Sequence, residues 1–169
     1  VVGLYPPEGG EVLLNGERVE ADGWDAYRQL FSVVFSDFHL FERLLEAPRD
    51  GLDEEGNRLL AKLHLQHKVR VENGAFTTQA LSQGQRKRLA LVVSYLEDRP
   101  FLVFDEWAAD QDPLFKEVFY CEVLLELKRM GKAVLVITHD DRYFHLADRL
   151  VRLESGKLLA TEQLDGEQP

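Results

Sequence analysis

Apolar residues cluster along this chain in short runs, and three of the runs have the length of buried strands. They occupy residues 30–37, 101–104 and 133–137, and each ends on or is followed by polar residues. The last two read FLVF and AVLVI, which predicts strands covered by the rest of the fold. Polar residues at the ends of such strands are where ligand-binding loops tend to begin.

Two longer segments repeat apolar residues at helical spacing instead. The first begins after Ser82 and ends near Glu97, with an apolar stripe made of Leu89, Val92, Val93 and Leu96. The second begins at Asp112 and Pro113, ends before Gly131, and has an expected buried face of Leu114, Val118, Cys121 and Leu125. Strand, helix and strand joined by short links predict a right-handed parallel unit, so the expected fold class is α/β.

Other parts of the chain predict antiparallel or helical structure. A short strand at residues 11–14 runs into an Asn-Gly turn at 15–16, and residues 149–161 read as two strands about a Ser-Gly turn. Residues 41–79 are charged and helix-forming, and the stretch EAPRDGLDEEG within them suggests a loop between helical pieces. We therefore expect a helical insert between the first strands and the helix that follows Ser82.

Length and composition are those of one globular domain. The chain has 169 residues, enough to bury a hydrophobic core without disulfides. Thirty Asp and Glu residues against twenty Lys and Arg residues give a formal net charge of −10, so nucleic acid is not an expected partner. The single cysteine, Cys121, has no partner in the chain and is expected to be a buried thiol in a reducing compartment.

Acidic residues and a histidine follow two of the predicted strands. Asp105 and Glu106 end the FLVF strand, and His139 comes at the end of the next strand. One acid is suited to hold a hydrated Mg²⁺ ion while the other aligns or deprotonates a water, and a histidine can donate a hydrogen bond to a terminal phosphate. The alternative is a strand end capped by solvated acids, next to a structural histidine.

The stretch LSQGQ (81–85) is a small polar turn directly before a helix. Gly84 has no side chain, so backbone amides can approach an anion closely, and the positive helix end and the Ser82 hydroxyl add to the attraction. The alternative is a simple N-cap, since serine before a helix is common. The residues RKR at 86–88 then form a short basic patch, which either neutralises neighbouring acids or lies near a nucleotide.

Together and in this order, LSQGQ, FLVFDE, AADQD and ITHD resemble four motifs of the ATP-binding cassette (ABC) transporter family. They correspond to its signature loop, Walker B strand, D-loop and switch-histidine loop. The chain is most similar to the branch that exports cyclic or pyoverdine-type peptides, although Trp107 and Ala108 stand where most cassettes have Pro-Thr or Pro-Ser. The resemblance covers essentially the whole chain. It implies a P-loop NTPase-like parallel sheet with an antiparallel portion and a helical subdomain, and it implies ATP and Mg²⁺ as cofactors.

The resemblance also implies roles for individual residues. Asp105 is expected to bind Mg²⁺ through water, Glu106 to be the catalytic carboxylate and His139 to contact the γ-phosphate. Asp112 is expected at the seam with a second, head-to-tail ATPase domain. The residues expected to face the ATP held by that second domain are Ser82, Gln83, Gly84 and Gln85.

Two departures from the family pattern bear on the nucleotide site. Ser36 stands where the family has the Q-loop glutamine that helps to hold Mg²⁺, which makes Asp37 the candidate substitute. The Walker A pattern G-x-x-x-x-G-K-[ST] does not occur in the sequence, and family order places it just before Val1. We therefore expect a partial ATPase domain, incomplete at its N-terminus, that binds ATP poorly by itself. Its expected parts are a β-rich and Q-loop region at about 1–40, a helical subdomain at about 41–97, and the Walker B, D-loop, H-loop and C-terminal hairpin at about 98–169.

The expected function is ATP hydrolysis that drives export of a cyclic or siderophore-type peptide across the bacterial inner membrane. The domain is expected to act as a homodimer at the cytoplasmic face, joined to a transmembrane domain that carries the peptide. Two alternatives stay open. A catalytically inactive half-domain that only lends its signature loop would explain the missing Walker A but not the intact acids and histidine. A soluble ABC ATPase outside transport predicts a long coiled coil before the signature, where the sequence has only a short insert.

Overall fold

The computed structural model describes residues 2–35, 44 and 50–164 of the chain. The strands are β1 (Leu13–Leu14), β2 (Glu17–Arg18), β3 (Phe31–Val34), β4 (Val71–Glu72), β5 (Ala75–Phe76), β6 (Phe101–Asp105), β7 (Ala133–Ile137), β8 (Arg149–Glu154) and β9 (Lys157–Gln163). The helices are α1 (Trp24–Arg28), α2 (Leu52–Lys62), α3 (Gln83–Glu97), α4 (Pro113–Val118) and α5 (Leu124–Arg129). A π-helical turn, Phe119–Val123, joins α4 to α5, and 3-10 turns occupy Trp107–Asp110 and Asp141–Leu146. None of the helices within these ranges is both long enough and apolar enough to cross a bilayer.

Strands β3, β6 and β7 form a parallel sheet with β6 at its centre. Phe101 of β6 lies opposite Phe31 of β3 and Ala133 of β7, and Asp105 lies opposite Ile137. Because the strands run in the same direction, their carboxyl ends meet at one edge of the sheet. The predicted α/β fold class is confirmed. Antiparallel pairing joins β1 to β2 and β8 to β9, so the hairpins predicted at the two ends of the sequence are also confirmed.

The hydrophobic core lies where α2 and α3 pack together and α3 packs against β3 of the sheet, while α5 packs against β7. The predicted stripe of α3 is confirmed by three residues that are at most 2% exposed, Leu89, Val92 and Leu96. An aromatic group continues this core beyond β6. Trp107 stacks on Phe119 with ring centroids 4.2 Å apart, and Phe104 meets Phe119 edge-on at 5.3 Å. The segment directly after β6 is therefore anchored in the core.

The buried face of the helix that begins after Asp112 differs from the prediction. Leu114 is 73% exposed, and Cys121 is exposed rather than buried. Buried positions recur at every fourth residue, Phe115, Phe119, Val123 and Leu127, and Tyr120 is buried beside them. The sequence offers two overlapping apolar stripes, offset by one or two residues. The aromatic stripe is buried because its two phenylalanines bury more apolar surface against Trp107 than Leu114 and Cys121 would.

The segment before α3 is less helical than predicted. Helix α2 begins at Leu52, inside the stretch expected to be a loop, and β4 and β5 form a hairpin that the prediction missed. The turn between them is Asn73-Gly74, with φ of 54° and 71°, and the Asp53 carboxylate accepts hydrogen bonds from both of their N–H groups at 2.7 and 2.8 Å. Asn-Gly is a strong hairpin signal. Two-residue strands are too short to reveal themselves by alternation, so the signal had no flanking pattern to support it.

Tyr95 of α3 has a buried hydroxyl without a hydrogen-bond partner in the described part of the chain. The residue is 8% exposed, and burial raises the pKa of its phenol to about 12. An unsatisfied buried hydroxyl costs about 1–3 kcal/mol. We therefore expect Tyr95→Phe to raise the free energy of unfolding by about 1 kcal/mol, measured by urea titration.

Tyr120→Phe is the matched control for that substitution. The Tyr120 hydroxyl donates a hydrogen bond to Thr138 Oγ1 at 3.0 Å. Its removal is expected to lower the free energy of unfolding by about 0.5–1.5 kcal/mol. If Tyr95→Phe destabilises the chain as much as this control does, the Tyr95 hydroxyl is satisfied after all.

Candidate functional site

The chain turns sharply where β6 ends. Glu106 adopts a left-handed backbone with φ of 50°, and its N–H donates to the carbonyl of Ile137 in β7 at 3.0 Å. A left-handed conformation is uncommon for a residue with a side chain and persists only where the surroundings hold it. The turn ends the strict alternation of the strand, so the side chains of Asp105 and Glu106 are free to serve different tasks. Both residues are partly buried.

The structure brings Glu106 and His139 into contact. His139 Nδ1 lies 3.0 Å from one carboxylate oxygen of Glu106 and 3.2 Å from the other. The histidine side chain is 82% exposed and that of Glu106 is 34% exposed, so the pair faces solvent at the carboxyl edge of the sheet. Asp105 immediately precedes Glu106 at the same edge. The three residues thus share one rim, while their individual roles remain predictions.

A hollow of about 280 Å³ opens beside this pair. Its wall includes both members of the pair together with Lys116, Thr138 and Arg142. The Arg142 guanidinium donates two hydrogen bonds to Asp140, at 2.8 and 2.7 Å, and these bonds hold the pKa of that carboxyl below its usual range. The hollow therefore combines carboxylates with cationic side chains at the strand ends.

A tyrosine that the sequence did not single out supports the loop that carries His139. The Tyr120 hydroxyl donates to Thr138 Oγ1, which also accepts from the N–H of Asp140 at 3.1 Å. The rings of Tyr120 and Tyr143 stack with centroids 4.1 Å apart. Tyr120 belongs to the π-helical turn, and such turns occur frequently at functional sites. In the sequence, Tyr120 stands between Phe119 and Cys121, and this position gives no indication that its hydroxyl contacts the loop of His139.

The LSQGQ turn caps helix α3. Ser82 Oγ accepts from the N–H of Gln85 at 3.3 Å, and the Gln85 side chain accepts from the N–H of Ser82 at 3.2 Å. This reciprocal pair is a capping box. The capping interpretation is thus confirmed. Ser82 and Gln83 are exposed, and contact with a nucleotide remains a prediction for the four residues of the turn, Ser82, Gln83, Gly84 and Gln85.

Gly84 is required by packing within the chain. A Cβ atom on this residue would lie 2.9 Å from the carbonyl oxygen of Asp110, which is too close for van der Waals contact. The Gln111 side chain also donates to the Gly84 carbonyl at 3.1 Å. The turn before α3 and the segment after β6 are therefore held against each other. The sequence suggested a different use for the glycine, the approach of an anion, which remains a prediction.

Asp112 caps helix α4. Its carboxylate accepts from the N–H of Phe115 at 2.9 Å and from the Arg88 guanidinium at 2.6 Å. The backbone donor and the nearby Arg88 charge lower the pKa of Asp112 below its ordinary value of 3.8. The Arg88 guanidinium also stacks over the Phe115 ring, 3.6 Å from its centroid. Asp112 thus has a structural task in the single chain, and its place at a dimer seam remains a prediction.

The basic patch at 86–88 has one member, Lys87, that is buried rather than at the surface. Arg86 is exposed, but Lys87 is only 1% exposed and lies 2.7 Å from Asp110 Oδ2. Of the two readings left open for the patch, neutralisation of a neighbouring acid is confirmed for Lys87. The sequence carried no signal of its burial, because the acid that pairs with it lies in a separate motif.

The donor set at the sheet edge fits a magnesium ion only in part. Among the residues that the structure describes, no group of three or more His, Cys, Asp or Glu side chains has the arrangement of a metal cage. Mg²⁺ in phosphate-transfer sites keeps several waters and takes one or two carboxylates together with substrate phosphates, so Asp105 suits it. The other predicted contributors, Ser36 and Asp37, lie outside the described residues.

Comparison with known proteins shows which family and which individual proteins are similar to this chain. A family model described as ABC transporter matches residues 1–109. The ATP-binding protein SyrD of Pseudomonas syringae pv. syringae is 53% identical over 161 residues, which cover 94% of this chain and 28% of SyrD. The thiamine import ATP-binding protein ThiQ of Rhizobium meliloti is 28% identical, with 98% of this chain and 72% of ThiQ covered. A solved structure of the ATP binding subunit of an ABC transporter matches with a TM-score of 0.76 at 26% identity, covering 97% of this chain and 71% of that one.

Proposed function

This chain belongs to the ABC transporter family, and we propose that it forms part of a domain that hydrolyses ATP to drive peptide export. The exported molecule is a cyclic or siderophore-type peptide, which crosses the bacterial inner membrane through a transmembrane domain. The ATPase domain lies at the cytoplasmic face, against that transmembrane domain. Support for the cargo and the direction comes from the sequence resemblance to peptide exporters.

The observation that carries the hydrolytic part of the proposal is the 3.0 Å contact between Glu106 and His139 at the ends of adjacent parallel strands. A carboxylate only accepts hydrogen bonds, so the imidazole donates to Glu106 through Nδ1, and only the doubly protonated imidazolium can also donate through Nε2 to the terminal phosphate. Glu106 aligns the attacking water and takes its proton. His139 orients that carboxylate as well as the phosphate.

The remaining residues of the proposed site bind rather than react. Mg²⁺, when bound, neutralises charge on the phosphates. Asp105 would hold the ion through water, and Asp37 with Ser36 would take the place of the family's Q-loop glutamine. Lys116 and Arg142 line the same hollow, beside the carboxylates of Glu106, Asp140 and Asp141.

A second ATPase domain completes the proposed site. The two domains pair head to tail, so that the turn of Ser82, Gln83, Gly84 and Gln85 contacts the nucleotide held by the partner. Exposure of Ser82 and Gln83 is compatible with this contact. Asp112, whose side chain is 55% exposed, lies at the seam. Nucleic acid has no part in the proposal, in keeping with the net charge of −10.

One other function is an inactive half-domain that only lends its signature turn to a complete partner. A hydrolysis assay on the protein encoded by the complete reading frame separates the two proposals. We expect Mg²⁺-dependent release of phosphate from ATP, with a rate that rises cooperatively with ATP concentration because two domains share two nucleotides. No hydrolysis, with or without Mg²⁺, would leave the half-domain as the function.

A further inference from the structure

The geometry points to Lys87 as a positioning residue for ATP hydrolysis. We propose that its buried side chain holds the backbone of Glu106 in place and ties it to the signature turn, so that the turn and the hydrolytic carboxylate move as one unit. The inference rests on the proposed catalytic role of Glu106. Lys87 itself touches neither nucleotide nor water in this proposal.

Lys87 is buried more completely than lysine normally is in proteins. It is 1% exposed, and lysine is rarely found at such depth unless it is paired. Its Nζ donates to the backbone carbonyl of Glu106 at 3.2 Å and lies 2.7 Å from Asp110 Oδ2. The side chain therefore runs from helix α3, through the core, to both ends of the turn that follows β6.

The contact from Lys87 acts on the backbone of Glu106, which has an uncommon conformation. Its φ of 50° is left-handed, and its carbonyl accepts from Lys87 and also from the N–H of Ala109 at 3.2 Å. A sparsely populated backbone conformation persists only where contacts with the surrounding structure hold it in place. The direction of the Glu106 side chain depends on this peptide. A carboxylate displaced by about 1 Å from its reacting water loses on the order of 100-fold in rate.

Further contacts join the same two segments. The Trp107 indole donates to the Lys87 backbone carbonyl at 3.0 Å, and Gln83 Nε2 donates to Asp110 Oδ2 at 3.0 Å. Gln83 belongs to the turn that is proposed to face the partner's nucleotide. Asp110 is therefore shared between Gln83 and Lys87, and Lys87 reaches Glu106. One short chain of contacts thus links the partner-facing turn with the carboxylate of this domain's own site.

Stabilisation of the fold does not by itself account for a lysine at this position. A buried ion pair is often replaced by apolar side chains of similar size without loss of stability. An apolar side chain cannot donate a hydrogen bond to the Glu106 carbonyl. The donor function is what distinguishes lysine from methionine here, and it acts on the residue that carries the proposed chemistry.

Lys87→Met, in the protein encoded by the complete reading frame, tests the inference. We expect kcat for ATP hydrolysis to fall by about 10- to 100-fold while KM for Mg-ATP stays within about twofold, because the carboxylate is misaligned and the nucleotide contacts are intact. The variant leaves no buried charge, since the Asp110 side chain is 42% exposed and remains hydrated. Lys87→Gln, which is too short to reach the carbonyl, carries the same expectation. Lys87→Arg keeps donors and is expected to restore part of kcat.

Val92→Ala is the matched control, because Val92 is buried in the same helix and its apolar side chain cannot form a hydrogen bond with the turn after β6. It is expected to lower the urea midpoint without lowering kcat. A kcat that is unchanged in both Lys87→Met and Lys87→Gln, while Glu106→Gln is inactive, overturns the positioning role and leaves the proposed function standing. Full turnover in Glu106→Gln overturns the role of Glu106 itself, independently of Lys87.

Discussion

Replacing Glu106 with glutamine is expected to slow ATP hydrolysis by about 10²- to 10⁴-fold in the protein encoded by the complete reading frame. Glutamine has nearly the same shape as glutamate, so the turn after β6 and the contact with His139 are retained. The amide cannot take a proton from the attacking water. We therefore expect kcat to fall and ATP binding to persist, measured by phosphate release and by titration with a fluorescent ATP analogue.

Glu154→Gln is the control for that measurement. Glu154 ends β8 on the exposed hairpin, so the substitution makes the same change of charge away from the sheet edge. Its kcat is expected to equal that of the unchanged protein. If Glu106→Gln retains turnover, Glu106 is not the base, and Asp105, the other acid at the end of β6, becomes the candidate.

Trp107→Ala is expected to lower the free energy of unfolding by about 3–5 kcal/mol, as other large-to-small changes at fully buried aromatic residues do. Trp107 is 1% exposed and stacks on Phe119, and its indole N–H donates to the Lys87 carbonyl at 3.0 Å. The substitution thus opens a cavity and removes the indole hydrogen bond to that carbonyl. Urea unfolding followed by circular dichroism measures the loss.

Two further substitutions test whether the loss of stability is specific to Trp107. Trp24→Ala removes a partly exposed tryptophan that meets Tyr27 edge-on at 5.5 Å, and it is expected to cost less. Trp107→Phe keeps most of the apolar surface but not the N–H donor. Its loss of unfolding free energy is expected to lie between those of Trp107→Ala and Trp24→Ala. Equal losses for Trp107→Ala and Trp24→Ala would contradict the role of Trp107 as the anchor of the segment after β6.

Trp107 also explains how the chain accommodates residues that differ from most cassettes. Trp107 and Ala108, which stand in place of the common Pro-Thr or Pro-Ser, are both buried. The indole fills the space between β6 and the helix after Asp112, against Phe115 and Phe119. The turn after β6 is thereby fixed by core packing on one side and by Lys87 on the other.

Much of the fold could be predicted from the sequence, because the patterns that indicate each helix and strand lie within short segments of the chain. The strands FLVF and AVLVI, the capping serine of α3 and the Asp112-Pro113 start of α4 depend on residues within one or two turns of each other. The order of these elements then implied parallel strands, and parallel strands implied that Asp105, Glu106 and His139 end at one edge. The 3.0 Å contact between Glu106 and His139 agrees with that expectation.

Only the tertiary structure decided which of two apolar stripes is buried in the helix after Asp112, and that Lys87 is a core residue. Both depend on partners distant in sequence: Phe115 and Phe119 are buried because Trp107 faces them, and Lys87 because Asp110 and the Glu106 carbonyl meet it. Periodicity cannot distinguish two overlapping stripes, and a charge pattern cannot show an acid brought near by folding. The sequence by itself therefore determined the elements and the edge where the chemistry lies, while long-range packing determined how that edge is held.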